Sequence, residues 1–106
     1  METYTLVLES QLGPRQGCLR MEEQDGAVTG TLTLLGYDNA VRGRRTGCNT
    51  VRLWHHLRTL VSDLTCVSDL VMEHGKIIGT LRSGRAAMKL HGEQQTDGKA
   101  GKDKNE

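Results

Sequence analysis

Alternation of apolar and polar residues is the dominant pattern along this chain. In segment 4–8, Tyr4, Leu6 and Leu8 face one way, and segment 17–23 alternates in the same manner. A period of two residues is typical of a strand with one buried face. The pattern therefore predicts a chain built largely from strands.

A seven-residue phrase with the pattern Gly-x-[Val/Ile]-x-Gly-Thr-Leu occurs twice, beginning at Gly26 and at Gly75. In each copy the first glycine occupies a turn position, and a second glycine, Gly30 or Gly79, lies inside the apolar run. Glycine within a strand marks a bulge or a sharp bend. We therefore predict that all four glycines are structural and that Gly30 and Gly79 occupy equivalent positions.

Turn signals separate short apolar runs at intervals of about 8–12 residues, the spacing of an all-β barrel or sandwich. Asp25-Gly26 predicts a two-residue hairpin of type I′, so the first strands should form an antiparallel meander. The prediction is a small antiparallel barrel or curved sandwich of seven to eight short strands. Residues 1–92 would form this single domain, and residues 93–106, which lack a large apolar residue, would form a disordered polar C-terminal tail.

Residues 53–72 allow two interpretations. Their large apolar residues fit a period of 3.6, which predicts an amphipathic helix and an α+β fold. Residues 64–70 also fit a period of two, and β-branched residues are frequent throughout the segment. The second copy of the repeated phrase needs a strand partner across His74-Gly75, and residues 67–73 would supply it. This requirement favours strands, with the helix as the alternative.

Composition limits the classes of function. The chain has 106 residues, no phenylalanine and a formal net charge of +1. A short chain whose core lacks phenylalanine is expected to self-associate into a homo-oligomer to bury more surface. No apolar run approaches the roughly 20 residues that span a bilayer, and the first residues lack a signal-peptide pattern. We therefore expect a cytoplasmic protein with no membrane partner.

The densest basic stretch contains Arg42, Arg44 and Arg45, with Arg52 downstream. Guanidinium groups on a glycine-bracketed loop bind phosphate or carboxylate. Together with Trp54 they define a nucleic-acid accessory protein as an alternative function, because bases stack on aromatic side chains. Only three aromatic residues are present, so a solvated polar face is the favoured interpretation and nucleic acid is not the expected partner.

His55, His56 and Cys48 are the other chemistry-bearing candidates. Adjacent histidines in a strand point to opposite faces, and no metal-ligand spacing occurs in the sequence. Cys48 follows two arginines, and nearby positive charge favours a reactive thiolate. An enzyme that uses these three residues is a further alternative, and it requires their side chains to converge in one cleft.

The prediction that follows is a non-enzymatic, self-associating binding or interaction module of bacterial type. Its general style resembles small bacterial β-barrel domains, and that resemblance carries no site residues. The barrel mouth offers a place for a small-molecule ligand, whereas no cofactor and no metal are predicted. The candidate binding residues are Arg42, Arg44, Arg45, Trp54, His55 and His56.

Overall fold

Eight antiparallel strands close into an up-and-down barrel in the computed structural model, which describes residues 1–95. The strands are β1 (Glu2–Ser10), β2 (Gly13–Gln24), β3 (Ala27–Leu34), β4 (Tyr37–Arg45), β5 (Thr50–Arg58), β6 (Asp63–Glu73), β7 (Lys76–Ser83) and β8 (Ala86–Gln94). Each strand pairs with its neighbours in sequence, and β1 pairs with β8 to close the barrel. The prediction of a small antiparallel β-barrel is confirmed.

The helix alternative over residues 53–72 is wrong. β5 and β6 occupy most of this segment, and the whole of β5 pairs with residues 63–71 of β6, with Arg58 opposite Asp63 beside the connecting loop. Burial alternates strictly along β5. Leu60 and Val61 lie in the loop and are almost fully exposed. The helical period arose because these two loop residues were counted together with the buried apolar residues of both strands.

Two-residue turns fix the register of the hairpins. Asp25 and Gly26 both have positive φ, at 55° and 86°, as a type I′ turn requires, and His74 and Gly75 repeat this geometry at 54° and 76°. Leu35 and Gly36, with φ of 57° and 86°, form the turn between β3 and β4, and β4 begins at Tyr37.

Inward-facing glycines mark the places where a neighbouring strand leaves no room for a Cβ atom. An ideal Cβ on Gly30 would lie 1.9 Å from the carbonyl oxygen of Arg20, and one on Gly79 would lie 2.3 Å from that of Asp69. Each glycine faces the residue that follows that carbonyl on the preceding strand. The two copies of the repeated phrase therefore place their interior glycines in equivalent positions. Gly17, Gly43 and Gly92 make similar close approaches.

The barrel has two distinct ends. Up-and-down topology places the β2–β3, β4–β5 and β6–β7 connections at the end where β1 begins and β8 finishes, which we call the Glu2 end. The other four connections lie at the opposite end, which we call the Leu12 end. Leucine, valine and isoleucine dominate the interior between the two ends.

The end of β8 lies beyond the predicted domain boundary. This strand runs to Gln94, so it includes two residues that the sequence assigned to the polar tail of residues 93–106. Residues 96–106, the remainder of that predicted tail beyond Gln95, lie outside the described residues.

Candidate functional site

The predicted basic stretch is a strand, so its arginines alternate between two faces. Arg42 and Arg44 are exposed on the outer surface of β4, whereas Arg45 occupies an inward position at the Glu2 end. The predicted clamp of three guanidinium groups therefore does not form. Arg44 and Arg45 still line one pocket beside Asp25 and Gly26, and Arg42 is not part of its lining.

Trp54 lies on the outer face of β5, where it is 45% exposed and opposite Arg42 in the register. The next outward position of β5 is Arg52, whose Nε donates to Asp69 Oδ1 over 2.7 Å. Arg82 Nη1 donates to the other oxygen of Asp69 over 2.9 Å. Hydrogen bonding from these arginines, Arg52 above all, lowers the pKa of Asp69. The positive charge beside Trp54 is thus partly neutralised within the sheet.

His55 and His56 point to opposite sides of the barrel wall, as the alternation in β5 requires. His55 is 5% exposed, with Nδ1 2.9 Å from the carbonyl oxygen of His56 and Nε2 2.8 Å from Ser68 Oγ. A carbonyl oxygen only accepts, so Nδ1 donates the hydrogen bond. In the neutral imidazole, Nε2 then accepts from the hydroxyl of Ser68. Burial lowers the pKa of His55 and favours this neutral form.

The three residues of the enzyme hypothesis do not converge. His56 is exposed on the outer surface, where its Nδ1 lies 2.9 Å from Asp63 Oδ1. Cys48 is exposed in the β4–β5 connection at the Glu2 end, and His55 faces the interior. The cleft that the enzyme hypothesis requires is not formed by these side chains. Within residues 1–95 no three His, Cys, Asp or Glu side chains are grouped as ligands for a metal ion.

Burial of His55 makes the stability of the barrel depend on pH. The unfolded chain binds a proton at the ordinary pKa of about 6.5, whereas the folded state binds it less readily because that pKa is lowered. The contribution is fully present above this value and is lost as the pH falls below it. We expect the free energy of unfolding, measured by urea denaturation between pH 8 and pH 5, to decline on acidification.

Two variants separate this contribution from other titrating groups. His55→Gln should flatten the pH dependence, and His56→Gln, which removes the exposed neighbour, should leave the His55 component in place. Equal slopes for the native chain and His55→Gln would show that the buried imidazole is not the titrating group.

An open cavity of about 260 Å³ lies in the mouth of the barrel at the Glu2 end. Its apolar wall comes from β2, β3 and β5, and its polar rim comes from β1, β2 and β4. The apolar side chains are Met21, Val28 and Val51, and the inward charged side chains at the rim are Glu2, Glu23 and Arg45. The three apolar side chains are almost completely buried, so most of the surface that the cavity exposes is polar. Polar groups that converge over an apolar wall make the mouth a candidate small-molecule site.

Hydrogen bonds organise the rim into two pairs. Arg45 Nε lies 2.9 Å and 3.0 Å from the two carboxylate oxygens of Glu23, and this hydrogen bonding lowers the pKa of Glu23. Tyr4 donates its hydroxyl to Glu2 Oε1 over 3.0 Å. Burial, reinforced by that hydrogen bond, raises the pKa of Tyr4 to about 12, so the phenol remains a donor at neutral pH.

Sequence reasoning found only one residue of this mouth, Arg45. The others were absent from the candidate set because they are ordinary strand residues, and only closure of the sheet brings β1, β2, β3 and β5 around one opening. A usable signal existed in the alternation of β4. Counting by two from the buried Val41 places position 45 inside.

Comparisons with known proteins identify the fold. No protein-family model matches the chain, and no curated protein does. Among solved structures, the chain is similar to a redesigned β-barrel, mFAP1, bound to DFHBI, with a TM-score of 0.65 and 11% sequence identity over 89% of this chain and 92% of that one. At this identity the similarity shows the fold alone. The described residues include no helix with the length and apolar character needed to cross a membrane.

Proposed function

We propose that this chain is a non-enzymatic binding module that takes one small molecule in the mouth at the Glu2 end. The observation that carries the proposal is the open cavity of about 260 Å³ with an apolar wall and a polar rim. Deeper in the barrel, large side chains such as Leu6, Leu57 and Leu81 are almost completely buried and fill the interior. The mouth therefore offers a ligand space that the filled interior does not.

The size of the cavity limits the ligand. Pockets for drug-sized molecules occupy about 300–1,000 Å³, so this mouth suits a smaller compound whose apolar part contacts Met21, Val28 and Val51. The solved barrel of similar fold is bound to DFHBI, which supports the capacity of the architecture for a small ligand. Nothing in that similarity transfers a particular ligand to this chain.

Self-association is the second part of the proposal. Trp54, Val71 and Ile78 are exposed on the outer surfaces of β5, β6 and β7, and Ile78 is 67% exposed. Val71 and Ile78 are direct cross-strand partners, so they form a continuous apolar patch. A second copy of the chain would remove this patch from water, which favours association.

Native mass spectrometry tests both parts at once. The protein would be purified from its own host without added ligand and measured at micromolar concentration. We expect an oligomer that carries a reproducible additional mass. Val51→Phe fills the mouth and should remove that mass, because the larger ring occupies the space next to Met21 and Val28.

Val61→Phe is the matched control, since it makes the same change in the exposed β5–β6 loop, away from both the mouth and the apolar patch. It should retain the additional mass. An adduct that survives Val51→Phe in a folded protein would place the ligand elsewhere. A bare monomer would contradict both the ligand and the self-association.

A further inference from the structure

The charged side chains that face the mouth differ in how many of their donor and acceptor atoms are free to bind a ligand. The three inward charged side chains of the rim are Glu2, Glu23 and Arg45. Two of them neutralise each other and one remains. The identity of the remaining group determines which charge on a ligand is favoured.

Arg45 is largely occupied by groups of its own chain. Its Nε and Nη2 donate to the carboxylate of Glu23, and its Nη1 donates to the carbonyl oxygen of Cys48 over 2.9 Å. A guanidinium bound on both sides in this way is poorly placed to take a second anion. Both oxygens of Glu23 are likewise bound to Arg45.

The carboxylate of Glu2 has fewer hydrogen-bond partners than that of Glu23. Its only hydrogen-bond donor in the described residues is the neutral hydroxyl of Tyr4, which reaches one of the two carboxylate oxygens. Within 4 Å of its carboxylate, residues 1–95 provide no cationic side chain. The second carboxylate oxygen of Glu2 is therefore without a donor in residues 1–95, and the interaction of Glu2 with Arg45 is a longer-range electrostatic one.

Glu2 also lies where two cavities meet. It lines the 260 Å³ mouth and a neighbouring cavity of about 210 Å³, whose lining includes Tyr4 and Met72. The charged side chains around the two cavities include Glu22 and Glu73 in addition to Lys76. Carboxylates therefore outnumber cationic side chains around these two cavities, which favours a cation there.

We propose that the mouth selects an organic cation, with Glu2 holding the ammonium group and the wall of Met21, Val28 and Val51 holding the apolar body. This inference rests on the proposed function, because it assigns a ligand class to the same cavity. A carboxylate at the rim and an apolar wall behind it match the two halves of a small primary amine. The tyrosine hydroxyl fixes one oxygen of Glu2 and directs the other to the ligand.

Three probes with one apolar body test the charge preference. They are 2-phenylethylamine, 2-phenylethanol and 3-phenylpropanoate, which are cationic, neutral and anionic at pH 7. We expect the amine to bind about threefold or more tightly than the alcohol, which is the size of a partly exposed ion pair. The carboxylate should bind most weakly. Added salt should weaken the amine and leave the alcohol unchanged, as measured by NMR titration of the backbone amides.

Glu2→Gln should abolish the difference between amine and alcohol while both still bind. Glu9→Gln is the matched control, because it removes a similarly exposed carboxylate at the far end of the same strand and should leave the difference intact. Equal binding of all three probes, lost in Val51→Phe, would overturn the charge preference and leave the proposed function standing. Tightest binding of the carboxylate would assign recognition to Arg45 instead. Absence of binding by every probe, with a bare native mass, would overturn both proposals.

Discussion

Gly30→Ala is expected to destabilise the barrel by about 3 kcal/mol or more. The added Cβ would lie 1.9 Å from the carbonyl oxygen of Arg20 and 2.8 Å from the Cα of Met21, both of them backbone atoms. A flexible side chain can move aside, but these atoms belong to the neighbouring strand of a closed sheet. Relief therefore requires β2 and β3 to separate, with loss of hydrogen bonds in the ladder.

Gly79→Ala is expected to cost less than Gly30→Ala, although the two residues are equivalent. Its Cβ would lie 2.3 Å from the carbonyl oxygen of Asp69, and its next contact is the movable Cδ2 of Leu70 at 2.6 Å. Urea denaturation of the two variants gives the order of the effects. If Gly30→Ala does not fold and Gly79→Ala still gives an unfolding transition, the order of the two effects is established as well.

Gly47→Ala is the control for loss of a glycine as such. Its Cβ would meet only the side-chain hydroxyl of Thr50, at 2.8 Å, and that hydroxyl can rotate away. We expect a change below about 1 kcal/mol. A neutral result for both Gly30→Ala and Gly79→Ala would mean that the repeated phrase has no structural role.

The repeated phrase shows how far sequence reasoning reaches. Two copies of the pattern identified Gly30 and Gly79 because glycine inside an apolar run conflicts with strand propensity and requires a reason. Gly17, Gly43 and Gly92 make the same kind of approach but were not distinguished from turn glycines. The closeness of a neighbouring carbonyl depends on the curvature and shear of the closed barrel, and local sequence does not encode these directly.

Alternation predicted the strands best where one face is apolar and the other polar. β4 was harder to predict because its outward positions, such as Arg42 and Arg44, are charged and its inward position 43 is glycine. The sequence of β4 therefore predicts a polar strand or loop, with Arg42, Arg44 and Arg45 as one basic cluster. The alternation of β4 indicates that position 45 faces inward, and the register of β4 with β3 and β5 then places Arg45 in the mouth and Arg42 beside Trp54.

Asn39 illustrates a buried polar residue that the sequence presents as a turn residue. Asparagine after Gly36 fits turn chemistry, yet in the barrel Asn39 is 6% exposed and lies within β4. Pairing between β4 and β5 ends at Val41 and His55. Beyond that point Asn39 Nδ2 donates to the carbonyl oxygen of Leu32 on β3, and Oδ1 accepts from the backbone N–H of Arg58 on β5.

Asn39→Ala is expected to lower the free energy of unfolding by about 2–3 kcal/mol. The substitution leaves the carbonyl oxygen of Leu32 and the N–H of Arg58 without the amide that satisfies them, and each unsatisfied buried group costs about 1–3 kcal/mol. A second measurement reports on the contact between β4 and β5 beyond the last paired residues, Val41 and His55. The backbone N–H of Arg58 should be protected from hydrogen exchange in the native chain and should lose that protection in Asn39→Ala.

Asp38→Ala is the matched control, one residue earlier in the same strand. Among residues 1–95 its carboxylate accepts one exposed hydrogen bond, from the hydroxyl of Thr33. We therefore expect a change within about 0.5 kcal/mol and unchanged protection at Arg58. Equal effects of the two variants would mean that the two hydrogen bonds of the Asn39 side chain contribute no more than an ordinary surface contact. A large effect confined to Asn39→Ala would show that one amide side chain replaces the missing β4–β5 hydrogen bonds. It would thereby keep the two strands together between His55 and the Leu12 end.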